Sequence, residues 1–204
     1  MKSLYTIGHS SLEFQQFVAM LVSAHVDLLA DVRSRPHSSR FPHFSQPAFQ
    51  KLLEAEAIAY LFLGEELGGR PDDPDMYRAN GVVDYRARRR SFAFQAGLER
   101  LERELGNHTV GLMCAEEDPL ECHRFLMICP ELVRLGITPV HLRKGRTPES
   151  QEEAENRLLE MRGFSSVTGN TLFPDARAEA LEDAYALQAE KFAFRVDPSA
   201  VDRW

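Results

Sequence analysis

The residues best able to do chemistry are gathered in short clusters. Gly8-His9-Ser10 is one, Asp31, Arg33 and Arg40 a second, and Gly64-Glu65-Glu66 a third. The densest is Cys114-Ala-Glu-Glu-Asp-Pro-Leu-Glu-Cys122-His123-Arg124. Arginine clamps carboxylate or phosphate through a planar fork of donors, so Arg33, Arg40 and Arg124 are read as ligands of an anion. Ser10, Glu65 and His123 join them as binding residues, though a serine at this place suits a helix cap equally well. His9 and Glu116 are the side chains suited to general acid–base work, and Cys114 is the candidate nucleophile.

Three readings of the cysteine segment stay open. A reactive thiolate needs a helix N-terminus or cations beside it, and His9, Arg33 or Arg124 would supply the cations for Cys114. The arrangement resembles the phosphate-cradling loops of cysteine phosphatases and the persulfide loops of rhodaneses, but Glu116, Glu117 and Asp118 fill this loop. That charge repels phosphate and opposes ionisation of a thiol, against direct phosphatase chemistry. A second reading is metal binding by Cys114, Cys122 and His123, with Glu116 or His9. The residue types suit zinc or iron, but the spacing matches no standard finger. Neighbours on a helix point about 100° apart, which would keep Cys122 and His123 from one ion, so no metal ligand is assigned. Third, Cys122 and Cys129 are seven residues apart, on one helix face with Phe125 and Leu126, as core residues.

These clusters need a scaffold, and hydrophobic periodicity supplies it. Strands are predicted at 4–7, 26–32, 59–63, 109–114 and 138–142, with Pro139 arguing for a strand start or a sheet edge. Helices are predicted at 11–24, 46–57, 84–105 and from Asp118 to Leu135, where Gly136 ends the run. Ser10 and Glu13 fit a capping box, and Asp118, Pro119 and Glu121 fit N-cap, N1 and N3. Residues 33–45 and 68–83 read as loops. Strands alternating with helices imply an α/β three-layer sandwich, a mostly parallel five-stranded sheet with helices on both faces. In such sheets ligands sit beyond the carboxyl ends of the strands, where all four clusters would fall. Two acidic helices near 148–162 and 176–193 follow, docked through Phe164, Leu172 and Phe173. The chain therefore divides into an α/β domain over 1–146 and a helical extension over 147–204 packed on the same domain.

Bulk properties narrow the class. The 204 residues are 44% hydrophobic and 27% charged, enough for a core without disulfides. Three cysteines, no export signal and no membrane-length apolar run point to a cytoplasmic protein without membrane contact. The net charge is −7, and residues 147–204 hold 12 acids against 6 bases. Residues 32–53 contain no acid, yet hold Arg33, Arg35, Arg40 and Lys51, a local bias able to attract an anion. Arg86, Arg88, Arg89 and Arg90 form a basic patch, read first as a solvated, acid-paired face and second as a nucleic-acid contact.

Thr6-Ile-Gly-His-Ser10, Asp31-Val-Arg-Ser-Arg-Pro36 with Arg40-Phe-Pro-His-Phe44, Tyr60-Leu-Phe-Leu-Gly-Glu-Glu-Leu-Gly-Gly69, Leu112-Met-Cys-Ala-Glu116 and Cys122-His-Arg124 resemble the ordered signature blocks of the domain of unknown function 488 family. Asn170-Thr-Leu-Phe-Pro174 and the helix after it resemble its longer members. The resemblance implies an α/β sandwich and a shared site on the strand-end loops, but no reaction, cofactor or oligomeric state. The reading that leads is an enzyme binding an anionic, phosphorylated or nucleotide-like small molecule. Its rivals are a non-catalytic module associated with nucleic acid and a metal- or thiol-dependent redox protein.

Overall fold

The computed structural model describes residues 3–168 and 174–196. Five parallel strands, β1 (Leu4–Gly8), β2 (Leu28–Asp31), β3 (Ala59–Phe62), β4 (Val110–Cys114) and β5 (Val140–Leu142), form the sheet. A sixth, two-residue strand, β6 (Glu149–Ser150), runs antiparallel to β5, and the order is β3-β2-β4-β1-β5-β6. The expected five-stranded sandwich is thus present, with one short edge strand added.

Helices cover both faces. On one side α1 (Phe14–Ser23) and α2 (Ala48–Ala55) pack Phe17, Leu21, Phe49 and Leu53 against Ile7, Leu29 and Met113. The other side buries Leu28, Ala30, Val110, Leu112 and Cys114 beneath α5 (Phe92–Leu105), α6 (Cys129–Arg134), α7 (Gln151–Met161) and α8 (Pro174–Phe192). Alternate strand residues feed opposite cores, as the two-residue period of a strand requires. Ala180, Ala184, Tyr185 and Ala189 of α8 lie in that second core. Leu172 and Phe173, the other expected docking residues, lie outside the described residues.

Three local expectations are corrected and one short helix is added. Ser10 caps nothing: its φ is 43° and α1 begins four residues later, after Glu13, with no side-chain cap. Backbone bonds explain this, because Ser10 donates its N–H to Ala115 O at 2.8 Å and Leu12 donates to His9 O, tying 9–12 into a tight turn. The capping box of this chain is instead Ser150 with Glu153, opening α7. The helix expected over 84–105 breaks into α4 (Tyr85–Arg90) and α5, because extended Ser91 starts a new helix and its Oγ accepts from Phe94 N. A short helix, α3 (Gly64–Leu67), follows β3 after the single residue Leu63.

The largest departure is after β4. No continuous helix runs from Asp118 to Leu135. Asp118 caps a single 3-10 turn, Pro119–Glu121, by accepting from Leu120 N, and Cys122 is extended (φ −129°, ψ 141°). A π-helical turn then covers Arg124–Ile128 before α6 begins. Such turns are rare and concentrate at functional sites.

Candidate functional site

The strand order brings the clusters together. β4 lies between β1 and β2, with Gly8 level with Cys114 and Asp31 level with Met113. The carboxyl ends of these three strands therefore present His9, Arg33 and Cys114 side by side. A cleft of about 430 Å³ opens over them, within the range of small-molecule sites. Gly8 is required there: a Cβ on it would lie 1.6 Å from Glu116 O.

Two corners of this edge differ in character. In the first, Asp31 accepts from Arg33 Nε at 2.9 Å and Nη2 at 2.6 Å, and from the Tyr60 hydroxyl at 2.8 Å. Arg33 also donates to Phe44 O at 2.9 Å, so most of its fork is already used. Its Nη1 faces His9 Nε2 at 3.3 Å. An arginine only donates, so that nitrogen of His9 accepts and Nδ1–H donates to Ser10 O. Burial, then the Arg33 charge, lowers the His9 pKa to about 4, leaving a neutral ring stacked on Phe44.

The second corner holds Cys114, Glu116, Cys122 and His123. Cys114 Sγ donates to Glu116 Oε2 at 3.0 Å and lies 3.5 Å from His123 Nδ1. The Cys122 sulfur lies 3.8 Å from the same nitrogen. Because Cys122 is extended rather than helical, it and His123 converge, and the helical objection to their sharing a ligand disappears. His123 Nε2 is 3.0 Å from Val32 O. A carbonyl only accepts, so Nε2 carries a proton, and Nδ1 faces the sulfurs. The ring is held from behind by Gly69, where a Cβ would come within 2.8 Å of it.

Charge in this corner is coupled. Burial, then Cys122, pushes the Cys114 thiol up. Burial opposes ionisation of Cys122 too, but the adjacent Cys114 thiol and the Arg124 and His123 charges outweigh it and hold that thiol well below its usual range. Burial, then Cys122, raises Glu116. Cys129, buried in the core, is pushed up by burial and takes no part.

Other residues land elsewhere. Arg124 is fully buried, and its Nη1 and Nη2 donate to the carbonyls of Glu116 at 2.7 Å and Glu117 at 2.9 Å. It therefore shapes the 115–118 loop from behind. Arg40 is exposed against Phe41, Glu65 is exposed on α3, and Ser10 is half-buried; none of the three lines the cleft. Arg88 is buried and donates to the Glu65 and Glu66 carbonyls, and Arg89 faces Glu131 and Glu182. In their place the cleft is lined by Arg35, His37, Arg70, Tyr85, Phe192 and Phe194. Arg35 had a signal, as part of the acid-free stretch; Arg70 and the two phenylalanines had none. Phe194 is placed by backbone pairing, its carbonyl accepting from Val83 N at 3.0 Å, and Arg70 stacks over its ring at 4.6 Å.

Known proteins add little about chemistry. No curated protein matches this chain. Two crystal structures from Shewanella putrefaciens CN-32, each described as "Putative phosphatase (DUF442)", align with it at a TM-score of 0.40. Identity is 11% and 12%, over 95% of this chain and 91% and 88% of the other. A likeness that distant carries no argument about this chain. Residues 13–128, by contrast, match a family model described as "Domain of unknown function DUF488", and the chain belongs to that family.

Proposed function

We propose that this protein is an enzyme acting on a small anionic substrate, phosphorylated or nucleotide-like, bound in the cleft at the carboxyl ends of β1, β2 and β4. One observation carries the reading. Arg35 and Arg70 line the cleft, and among the described residues neither forms an ion pair. Nearly all the other arginines around this edge are committed to carboxylates or carbonyls. Two guanidinium groups without a carboxylate partner at a concave site suit phosphate or carboxylate. Tyr85, Phe192 and Phe194 add aromatic surface of the kind on which a nucleobase stacks. Glu116, raised by burial at the cleft floor, is the group suited to acid–base work. Cys114, with its thiol pushed up, is the weaker candidate for direct attack.

The test is calorimetric titration with pyrophosphate and with adenosine diphosphate at low salt. Wild-type protein binds at least one of them. Arg35→Ala and Arg70→Ala each weaken binding by roughly tenfold, the worth of one charge-assisted hydrogen bond. Arg40→Ala, outside the cleft, binds like wild type. Failure of both ligands to bind, or equal binding by all four proteins, refutes the reading.

A further inference from the structure

We propose that Cys114, Glu116, Cys122 and His123 bind a single zinc(II) ion at the floor of the cleft. Three independent features lead to it.

The first is geometry. One donor atom from each of the four residues lies within 4.8 Å of every other. Zinc holds sulfur at about 2.3 Å and nitrogen at about 2.0 Å, so tetrahedral donors stand about 3 to 4 Å apart. The separations of 3.0, 3.5 and 3.8 Å quoted above fall in that interval.

The second is orientation of the histidine. A ring that ligates a metal through one nitrogen characteristically donates its other N–H to a carbonyl or carboxylate. His123 does this to Val32 O, leaving Nδ1 aimed between two sulfurs. Gly69 lets the ring approach closely on another side, where a Cβ would come within 2.8 Å of it.

The third is charge. Arg124 is fully buried, and its guanidinium meets carbonyls and the Thr6 hydroxyl but no carboxylate among the described residues. A buried cation needs a counter-charge, and Arg124 adjoins the cluster directly, its backbone N–H donating to Cys122 Sγ at 3.4 Å. Two thiolates and one carboxylate carry three negative charges. A divalent ion and Arg124 balance them.

The donor set selects the metal. Thiolate and imidazole favour zinc over magnesium or calcium, which take oxygen ligands. Two cysteines and one histidine also form a known catalytic zinc set with an exchangeable fourth position. Glu116 takes that exchangeable position here until substrate displaces it and frees it for proton transfer, and Cys114, Glu116 and His123 all face the cleft. The inference deepens the anion-binding reading by placing a Lewis acid beneath the substrate.

The experiment uses the full chain without a tag, purified with a phosphine reductant and no chelator. Elemental mass spectrometry should find about one zinc per chain. After its removal, cobalt(II) titration should give the visible bands of a tetrahedral ion and a near-ultraviolet thiolate charge-transfer band. Cys114→Ser and Cys122→Ser should each lose about half of that band, and Cys129→Ala should keep all of it. A reduced chain with three titratable thiols that takes up neither ion overturns the proposal, as does a cobalt spectrum unchanged in both serine variants. If the serine variants do not fold, the wild-type cobalt spectrum decides alone, since only thiolate ligation gives the charge-transfer band. Arg35→Ala should retain its zinc, so loss of pyrophosphate binding and loss of metal are separate outcomes.

Discussion

Residues 116–118 are three consecutive acids that serve two opposite ends. Glu117 and Asp118 turn away from the cleft into a closed ion network. Arg143 holds Glu117 at 2.9 Å and Glu149 at 2.7 Å, while Arg157 holds Asp118 and Glu149 at 2.8 Å. The arginines keep all three of those acids below the usual carboxylate range, against the cost of burial. Glu116 turns the other way, toward two thiols, and its pKa rises instead. Compensated charge marks a structural joint, here between the β4 loop and α7. Uncompensated charge, buried with sulfur and imidazole, marks a site. The comparison also corrects the objection that three acids repel an anion from this loop, since two of them are neutralised on its far side.

The contrast can be broken at three places. The largest effect should come from Arg143→Ala. This side chain is 4% exposed and touches three carboxylates. Losing one partner of a buried ion pair leaves the others uncompensated, at a cost of about 3 kcal/mol. Urea unfolding at neutral pH measures it, and a loss below about 1 kcal/mol would mean that the network is no structural joint.

A second effect is pH-dependent. His141 is fully buried on β5, 2.8 Å from the Thr6 hydroxyl and 3.1 Å from Gln151 Oε1. Burial, then the Arg124 charge, lowers its pKa from 6.5 to about 4, with Arg143 adding to the lowering and Glu149 and the Gln151 hydrogen bond opposing it. Below pH 6.5 the unfolded chain takes up a proton that the folded chain refuses until about pH 4. Stability therefore falls as pH drops through that window, by about 3 kcal/mol in all, and flattens beneath it. Comparing urea midpoints at several pH values for wild type and His141→Gln checks this. Equal slopes for the two proteins would remove His141 as the cause.

The smallest effect should be Gly69→Ala. The added methyl meets the His123 ring and costs about 1 to 2 kcal/mol. It should also weaken cobalt binding, since the ring must move. Unchanged midpoint and unchanged cobalt affinity together would show that Gly69 gives the ring no support.

Much of this molecule is written locally. Leu28-Leu29-Ala30 and Val110-Gly-Leu-Met-Cys114 read as buried parallel strands because both faces of the sheet are covered, and the intervening amphipathic helices dictate crossovers. That pattern was enough to place His9, Arg33, Cys114 and Glu116 at one edge. It was also enough to find Cys122 and His123 near them. It failed where backbone context overrode a local signal. Ser10 was diverted from its helix by bonds to the 115 loop, and Cys122 was pulled out of helix by the 3-10 turn that Asp118 caps. The sequence by itself determined the strands, the α/β layering and which residue types end the strands, but not the strand order, because period and propensity are properties of neighbours along the chain. Only the tertiary structure decided which arginines are spent and which are free, that Phe194 returns from the C-terminal segment to wall the cleft, and that two cysteines, a histidine and a glutamate converge within 4.8 Å. Those outcomes depend on partners far apart in the chain, and a one-dimensional pattern carries no record of them.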